Sequence, residues 1–263
     1  MLNSDMFPAD ELLNPQQLAQ MSELFGRFSL RRVRIAPLSA KLTNPDVETF
    51  SGISLAPDEI AVFQEFRLGK RRAEWLAGRS AAKKAALSLL GSPNRDPRLL
   101  SVLADKHGRP FLKAPGQSAS LLPEISISHS GAHAVALAAW QPCGIDVQKI
   151  TPQLARVADH FCRAPERELI ISVAGEKNAE PFLAGLALLW TAKEALRKIF
   201  GVLPLPGFLN LTLVRATGDS KQTINLYFQS TMANSKPLPP VSACFFEGYA
   251  IACTIKNQGE LIK

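Results

Sequence analysis

Two short segments of the chain contain residue types that together suit phosphate and metal chemistry. The first reads Gly-Ile-Asp-Val at residues 144–147, and the second reads Trp-Thr-Ala-Lys-Glu-Ala-Leu-Arg-Lys at residues 190–198. They provide two carboxylates, Asp146 and Glu194, and Lys198 follows Glu194 at helical spacing. Mg²⁺ is usually bound by one or two carboxylates, several waters and substrate phosphate oxygens. The two segments therefore indicate a site that handles a metal ion and a pyrophosphate.

Asp146 has a structural alternative to the metal role. It lies between Ile145 and Val147 in a strand-like segment, so its side chain points to the opposite face from theirs. Burial of an unpaired charge costs on the order of several kcal/mol, so a salt bridge or a helix cap would satisfy this carboxylate equally well. Gln148 lies on the same face and can meet a metal through its carbonyl oxygen, but it brings no charge.

The helical segment at residues 190–198 also has two interpretations. Trp190, Glu194 and Lys198 share one face. In the first interpretation Glu194 and Lys198 form an exposed pair worth roughly 0.3–0.5 kcal/mol, and Trp190 lies in the core. In the second, Glu194 binds a cation while Lys198 reaches a phosphate.

His129 ends a strand-like segment and is followed by a turn at Gly131. A histidine in this position is either structural or able to contact a ligand. A Ser-His hydrolase that uses Ser128 or Ser130 is possible in composition, although the chain has no G-x-S-x-G elbow.

The densest positive region is Lys70-Arg71-Arg72, together with Arg79, Lys83 and Lys84. Such a run is usually a solvated helix face, but it could also bind the phosphates of a nucleotide or an RNA backbone. A non-catalytic basic module that binds nucleotide or RNA is therefore an alternative function. Against readout of nucleic acid, the chain has no RRM-type aromatic motif, zinc finger or clear helix-turn-helix.

Helices and strands alternate along the chain in a pattern that predicts an α+β fold. The predicted helices cover residues 15–25, a short segment from Pro57, and residues 70–90, 152–161, 164–174 and 182–200. The predicted strands cover residues 31–36, 99–105, 109–113, 124–129, 133–140, 145–147, 209–215, 222–229, 241–246 and 249–255.

Two segments of the chain resemble each other in sequence, and this similarity is called the internal echo below. Residues 80–91 and 190–201 align at an offset of 110, with identical residues at Ala82/Ala192, Lys83/Lys193, Ala85/Ala195 and Gly91/Gly201. Such matches are what an old duplication would leave. Lys84 stands where the second half has Glu194, so only the second half supplies the acid.

The bulk composition fits a globular protein that acts on an anionic partner. The 263 residues carry a net charge of +7, and 46% of them are hydrophobic. Cys143, Cys162, Cys244 and Cys253 have no metal-like spacing, which favours free thiols in a reducing compartment. The start of the chain does not resemble a signal peptide, and no apolar run could span a bilayer, so a cytoplasmic protein is expected.

The motifs, taken in order, resemble the surfactin type of 4′-phosphopantetheinyl transferase, which moves an arm of coenzyme A onto a serine of a carrier protein. The resemblance covers about residues 67–201, and Leu76-Ala77-Gly78-Arg79 is similar to the enterobactin-type relatives. The matching segments are Gly108-Arg109-Pro110, Ser128-His129-Ser130, Gly144-Ile145-Asp146, Phe161 to Glu168, and Trp190 to Lys198.

This resemblance implies a pseudo-dimer of two similar α+β halves with coenzyme A in the cleft between them. It divides the chain into an N-terminal extension (1–27), a first half (28–141) and a second half (142–263). It also implies a monomer that works with Mg²⁺ and an acidic acyl or peptidyl carrier protein, with neither nucleic acid nor membrane as a partner.

The resemblance also implies roles for individual residues. Asp146 and Glu194 hold Mg²⁺, Glu194 or a water that it orients activates the carrier serine, and Lys198 contacts a phosphate. Many relatives have Glu where this chain has Gln148, so Gln148 is a third ligand only if its neutral amide completes the metal shell. The residues expected to bind coenzyme A are Lys70, Arg71, Arg72, Arg79 and His129 at the 3′-phosphate, Gly108, Arg109 and Pro110 beside the adenine, and Ser128 at the pyrophosphate.

Overall fold

The chain forms two compact units in the computed structural model. The described residues are 12–36, 55–175, 180–200, 205–218, 222–231 and 238–256. Among them, unit 1 contains Arg27–Trp140, while unit 2 joins Leu13–Gly26 to Gln141–Lys263. Gly201, one position of the internal echo, lies outside the described residues.

Unit 1 packs two helices on antiparallel strands. Its larger sheet has the strand order β1-β5-β4, and β2 and β3 form a separate hairpin. The elements are β1 (Phe28–Arg34), α2 (Pro57–Glu65), α3 (Gly69–Leu89), β2 (Ser101–Ala104), β3 (Pro110–Lys113), β4 (Glu124–Ser130) and β5 (His133–Ala139).

The core of unit 1 is built from small side chains. Helix α3 buries a series of alanines in the same cluster as Ala134, Ala136 and Ala138 of β5. Small residues let the helix approach the sheet closely, and a Cβ on Gly78 would lie only 3.0 Å from Ile127 Cγ2. Because α3 is buried on most of its circumference, it lacks a clear amphipathic pattern.

Unit 2 has a five-stranded antiparallel sheet with the order β6-β10-β9-β8-β7. Its long helix, α6, packs leucines and alanines against this sheet. The elements are α1 (Pro15–Phe25), β6 (Cys143–Lys149), α4 (Gln153–Arg156), α5 (Ala164–Ala174), α6 (Pro181–Phe200), β7 (Leu211–Gly218), β8 (Ile224–Ser230), β9 (Val241–Phe246) and β10 (Tyr249–Ile255).

Helix α1 is attached to unit 2 by side-chain hydrogen bonds at the start of β8. Gln20 Nε2 donates to Gln222 Oε1 (2.7 Å), and Gln17 Nε2 donates to the Gln222 carbonyl oxygen (3.3 Å). Thr223 Oγ1 donates to Gln20 Oε1 (2.8 Å). These contacts join residues that lie about 200 positions apart in the sequence.

The predicted α+β class is confirmed, and the two units share one order of elements. In each unit the first strand pairs antiparallel with the last strand, β1 with β5 and β6 with β10. A short helix and then a long helix follow the first strand, and the long helix packs on both paired strands. The two similar halves expected from the echo are therefore present as repeated topology.

A buried ion pair joins the two helices of unit 1. Glu59, the third residue of α2, accepts hydrogen bonds from the backbone N–H groups of Ala56 (2.7 Å) and Val102 (3.0 Å). It also pairs with Lys83 of α3, whose side chain is only 1% exposed. The expectation that Lys83 belongs to a solvated basic face was wrong, because this buried lysine needs the Glu59 charge.

The same arrangement recurs in unit 2. Glu166, the third residue of α5, accepts from the backbone N–H groups of Arg163 (2.8 Å) and Leu213 (2.8 Å). Its Oε1 pairs with Lys193 Nζ of α6 at 2.8 Å, and this ammonium also donates to the Phe161 carbonyl oxygen at 2.7 Å. Burial lowers the pKa of Lys193, while the Glu166 charge opposes that shift.

Two predicted elements differ from the structure near the aromatic residues. The helix expected over residues 152–161 is broken into α4 and a 3₁₀ turn, Ala158–His160, after which Phe161 is fully buried. The strand expected from residue 209 begins at Leu211, because Phe208–Asn210 form another 3₁₀ turn. The first 3₁₀ turn is followed by Phe161 and the second begins with Phe208, and the rings of both residues contact Trp190.

Two further expectations from the sequence concern membrane-spanning segments and the cysteines. Among the described residues, no helix has both the length and the apolarity needed to cross a bilayer. All four cysteines are buried free thiols, as their spacing predicted.

Candidate functional site

Asp146 lies on the side of β6 that faces helix α6. It is in register with Ala252, which belongs to the core formed with α6. Asp146 Oδ1 accepts from Lys198 Nζ at 2.9 Å, and the same ammonium donates to the Ile145 carbonyl oxygen at 2.6 Å. The salt bridge considered as an alternative is therefore present, and Lys198 is its cation.

Glu194 pairs with a different residue from the one that helical spacing suggested. Its Oε1 accepts from Arg197 Nη1 at 3.1 Å, one turn further along α6. An ion pair between Glu194 and Lys198 was the simplest expectation, but Lys198 turns to Asp146 instead. The buried Asp146 carboxylate, with an 11% exposed side chain, offers the lysine a better partner than a half-exposed glutamate.

Asp146 and Glu194 are close enough to influence each other electrostatically. Burial raises the pKa of the Glu194 carboxyl, and the Asp146 charge raises it further, while Arg197 and Lys198 oppose the shift. Two adjacent carboxylates repel each other unless cations separate them. Here Arg197 and Lys198 supply those cations, and the hard carboxylate oxygens are of the kind that bind Mg²⁺, which completes its shell with waters and phosphate oxygens.

Gln148 lies at the end of β6, half-buried, and its Nε2 donates to the Lys149 carbonyl oxygen at 3.0 Å. The described residues contain no group of three or more His, Cys, Asp or Glu side chains that could hold a metal ion. The protein ligand set they offer is therefore two carboxylates, with Gln148 as a neutral neighbour.

Gly144 allows α6 to lie close enough to bring these groups together. A Cβ at this position would lie 1.9 Å from the Ala195 carbonyl oxygen and 3.3 Å from Lys198 Cβ. The Ala195 carbonyl belongs to the backbone of α6, so it cannot rotate out of the way as a side chain could. Glycine two residues before Asp146 is therefore a packing requirement of the site.

We expect Gly144→Ala to push α6 away from β6 and to destabilise the protein by about 2–3 kcal/mol. A calorimetric melt should show Tm falling by about 4–12 °C for a chain of this size. Gly69→Ala is the matched control, because a Cβ there meets nothing within 4 Å. A Gly144→Ala melt within 2 °C of the wild type, where a loss of about 1 kcal/mol would already show, would contradict the packing requirement.

An aromatic and cationic network fixes Arg197 and was not predicted from the sequence. The Arg197 guanidinium lies 4.4 Å from the centroid of the Phe208 ring, and its Nε donates to the Pro206 carbonyl oxygen at 3.1 Å. Phe208 stacks on Trp190 with centroids 4.7 Å apart. Arg197 is thereby held on the Glu194 side of the helix.

Ser128 and His129 stay together near the end of β4 in unit 1. Ser128 is half-buried, whereas His129 is exposed. They pair in register with Val135 and Ala134 of β5. An exposed imidazole at a strand end is able to meet a ligand, which fits the role that the resemblance implies for His129.

The Gly108-Arg109-Pro110 segment forms the turn between β2 and β3. Gly108 has φ +81°, and Arg109 pairs with Glu124 at 2.9 Å, at the start of β4. About 17 Å of strand separates Glu124 from His129, at about 3.4 Å per residue. The structure therefore does not bring the Arg109 side chain to His129.

The basic residues of α3 have different environments. Lys70 is 86% exposed and Arg71 is also exposed. Arg72 Nε donates to the Phe66 carbonyl oxygen at 2.6 Å. Arg79 lies over the Trp75 ring at 4.3 Å, and burial lowers its pKa to about 10. Lys70 also lies 3.9 Å from the Glu74 carboxylate, and the basic side chains after Arg71 are at least half-buried, so the run is not one continuous basic face.

Comparison with known proteins places the second unit in a described family. Residues 142–254 match the model of the 4′-phosphopantetheinyl transferase superfamily. The chain is 40% identical over 84 residues to a holo-[acyl-carrier-protein] synthase of Trichlorobacter lovleyi, with 28% of this chain and 67% of the relative covered. It is 37% identical over 93 residues to the synthase of the same name from Ligilactobacillus salivarius, with 34% and 67% covered.

Solved structures are similar at lower identity. The holo-[acyl-carrier-protein] synthase of Helicobacter pylori in complex with coenzyme A is 20% identical, with a TM-score of 0.35, 43% of this chain covered and 97% of that chain. The holo-ACP synthase of Plasmodium yoelii is 21% identical, with a TM-score of 0.36 and coverages of 43% and 92%.

Proposed function

Because the chain belongs to the 4′-phosphopantetheinyl transferase superfamily, we propose that it transfers the 4′-phosphopantetheine arm of coenzyme A to a carrier-protein serine. The observation that carries this proposal is the pairing of Asp146 and Glu194 beside Lys198 and Arg197 at the end of α6. Paired carboxylates with nearby cations suit a reaction that moves charge between phosphate oxygens.

Mg²⁺ is the metal that fits this ligand set. Asp146 and Glu194 would hold it, and Gln148 could hold one of its waters. The bound ion would neutralise charge on the pyrophosphate of coenzyme A. The proposal includes Mg²⁺ because the two neighbouring carboxylates, which the described part of the chain does not supplement with a third acid, match its preference for few protein ligands.

The reaction is a displacement at phosphorus. The serine Oγ attacks the β-phosphorus of coenzyme A, and the bond from that phosphorus to the bridging oxygen breaks. The products are the phosphopantetheinyl serine and 3′,5′-ADP. Glu194, or a water that it orients, takes the serine proton, and Lys198 stabilises the negative charge on the phosphate oxygens.

The proposed role of Lys198 is supported by its contact with Asp146. In the structure it neutralises the carboxylate at 2.9 Å. If Mg²⁺ bound to the two carboxylates, it would supply that neutralisation, and the Lys198 ammonium could then bind a phosphate oxygen. Lys198 therefore links occupation of the carboxylate pair to phosphate binding.

The proposed partner is an acidic acyl or peptidyl carrier protein, to which the net charge of +7 is complementary.

Within the superfamily we infer the surfactin type, a monomer, because two units of the same topology lie in one chain. Coenzyme A would use Ser128, His129 and the basic start of α3. The competing interpretations, a non-catalytic RNA-binding module and a Ser-His hydrolase, require neither carboxylate.

Intact-mass spectrometry of an apo carrier protein tests the proposal. Incubation with the protein, coenzyme A and Mg²⁺ should add about 340 Da, the mass of one phosphopantetheine, and EDTA should abolish the gain. A gain that persists in EDTA would contradict the metal requirement. No gain on acyl and peptidyl carriers, together with no calorimetric signal for coenzyme A, would overturn the proposed function.

We expect Gln148→Glu to lower the Mg²⁺ concentration required for half-maximal rate by about threefold to tenfold, because a third carboxylate adds a charged oxygen ligand. Gln153→Glu, an exposed position on α4, is the matched control for the change in net charge. The measurement is a Mg²⁺ titration of the initial rate. An unchanged requirement in Gln148→Glu would place residue 148 outside the metal shell.

A further inference from the structure

The Arg197 side chain is held in one place by three contacts of its guanidinium. Nη1 donates to Glu194 Oε1 at 3.1 Å, and Nε donates to the Pro206 carbonyl oxygen at 3.1 Å. The central carbon of the guanidinium lies 4.4 Å from the centroid of the Phe208 ring. A rigid planar fork can make all three contacts at once, whereas a lysine has no planar face to lay on a ring. Arg197 therefore binds Glu194 while groups outside the helix fix its own position.

The Phe208 ring beneath Arg197 is itself anchored in the core of unit 2. It stacks on Trp190 with centroids 4.7 Å apart, and Trp190 meets the Phe161 ring edge to face at 5.1 Å. Phe161 is fully buried. An aromatic stack thus leads from the core to the guanidinium, and such contacts restrict the side chains that make them. Glu194 is connected to the core through rings that do not touch its carboxylate.

The hydrogen bond from Arg197 engages one oxygen of the Glu194 carboxylate. It goes to Oε1, which leaves Oε2 of the same group for another ligand. Carboxylates that bind metal ions are commonly hydrogen-bonded by a neighbour that fixes their orientation, and loss of that neighbour typically costs roughly 10–100-fold in metal affinity or activity. Arg197 has the chemistry and the fixed position of such a neighbour.

We propose that Arg197 is the positioning residue of Glu194, holding Oε1 so that Oε2 stays oriented for the ion that Glu194 shares with Asp146. This role rests on the proposed function, because it takes the two carboxylates as the metal site. Phe208 contributes to the same role through Arg197. Arg197 touches neither coenzyme A nor the reacting atoms in this role, which separates it from Lys198.

The first test is Mn²⁺ affinity, followed by electron paramagnetic resonance at a temperature where every variant is folded. Arg197→Lys keeps the charge beside Glu194 but loses the fork and the ring contact, so it should weaken binding about tenfold or more. Phe208→Leu changes neither the charge nor any group that touches the carboxylate, and it should weaken binding about threefold to tenfold.

The matched control is Arg215→Lys. Arg215 also lies over an aromatic ring, that of Tyr227 at 3.8 Å, so the control loses the same kind of contact. It lies on β7, at the opposite edge of the sheet from β6 and Asp146. Its Mn²⁺ affinity should stay within about twofold of the wild type, as expected for a distant and independent site.

A double variant separates the proposed route from a general loss of packing. If Phe208 acts through Arg197, then Arg197→Lys combined with Phe208→Leu should bind Mn²⁺ within about twofold of Arg197→Lys alone. Independent effects would multiply to a loss of about thirtyfold or more. A multiplied loss would overturn the route from Phe208 to Glu194.

Nuclear magnetic relaxation of the Arg197 Nε–H group gives a reading that needs no metal. In the metal-free wild type its order parameter should be close to about 0.85, the value of rigid groups, and it should fall below about 0.6 in Phe208→Leu. Exposed Arg71 is the mobile reference.

The outcomes distinguish this role from the proposed function. A mobile Arg197 in the wild type, or an Arg197→Lys variant with the Mn²⁺ affinity of the wild type, would overturn the role even if phosphopantetheine transfer had been demonstrated. Failure of the wild type itself to bind Mn²⁺ would overturn the proposed metal site, and the role of Arg197 with it.

Discussion

Replacement of Glu194 by glutamine is expected to lower the rate of phosphopantetheine transfer by about 10³-fold or more, equivalent to roughly 4 kcal/mol of transition-state stabilisation. The amide keeps the shape of the side chain but removes the charge that binds Mg²⁺ and accepts the serine proton. Asp146→Asn should have a similar effect, since it removes the other carboxylate. The measurement is the initial rate of carrier modification at saturating coenzyme A.

Stability and metal binding must be measured beside the rate. The Glu194–Arg197 pair is half-exposed, so its loss should cost no more than about 1 kcal/mol and the fold should persist. Titration with Mn²⁺ followed by electron paramagnetic resonance should show weaker binding in both variants. Glu65→Gln, an exposed position in unit 1, is the matched control. A near-normal rate in either Asp146→Asn or Glu194→Gln would remove the metal-site assignment.

Replacement of Lys193 by methionine is expected to destabilise the protein by about 3–5 kcal/mol, because Glu166 would remain buried without its counter-charge. The ammonium is fully buried and also satisfies the Phe161 carbonyl oxygen at 2.7 Å. The free energy of unfolding, obtained from urea titration, measures the loss. Lys70→Met on an exposed surface should change it by no more than about 0.5 kcal/mol.

The repeated arrangement supplies an independent check on this result. Lys83→Met should cost a similar amount, since Glu59 is buried, pairs with Lys83 and accepts the corresponding backbone hydrogen bonds from Ala56 and Val102. The double variant Glu166→Gln with Lys193→Met should recover part of the loss, because the uncompensated charge is then gone. A loss below about 1 kcal/mol in both single lysine variants would show that neither pair stabilises its unit.

Local patterns were sufficient to predict most of the elements. The helix over residues 164–174 and the strands over 241–246 and 249–255 were predicted with the bounds observed, because Pro165 marks the helix start and short, nearly continuous apolar runs mark the strands. Asp146 and Glu194 were correctly expected on a strand and a helix, whereas the duplication suggested by the echo at offset 110 stays a prediction.

Tertiary contacts determined the ion pairs that the sequence patterns did not predict. Lys83 was assigned to a basic face because α3 buries residues on nearly all sides and gives no amphipathic signal. The partners Glu59 and Glu166 were missed, although each is the third residue of a helix that has proline in one of its first two positions, which is a usable signal. The choice of Arg197 over Lys198 as the partner of Glu194 depends on Phe208, which lies outside the helix.

Helix α1 contacts the start of β8, so it cannot make these contacts until the ribosome has synthesised that part of the chain. Gln20 and its partner Gln222 lie 202 residues apart, so at about 5–20 residues per second the ribosome releases Gln20 about 10–40 s before Gln222. All of Arg27–Trp140 emerges in that interval and has time to fold. Nascent α1, with Met21 and Phe25 on its buried face, must wait with these apolar side chains exposed. Helix α1 is thus synthesised well before the strand that it contacts, and in this period it is a natural target for a chaperone.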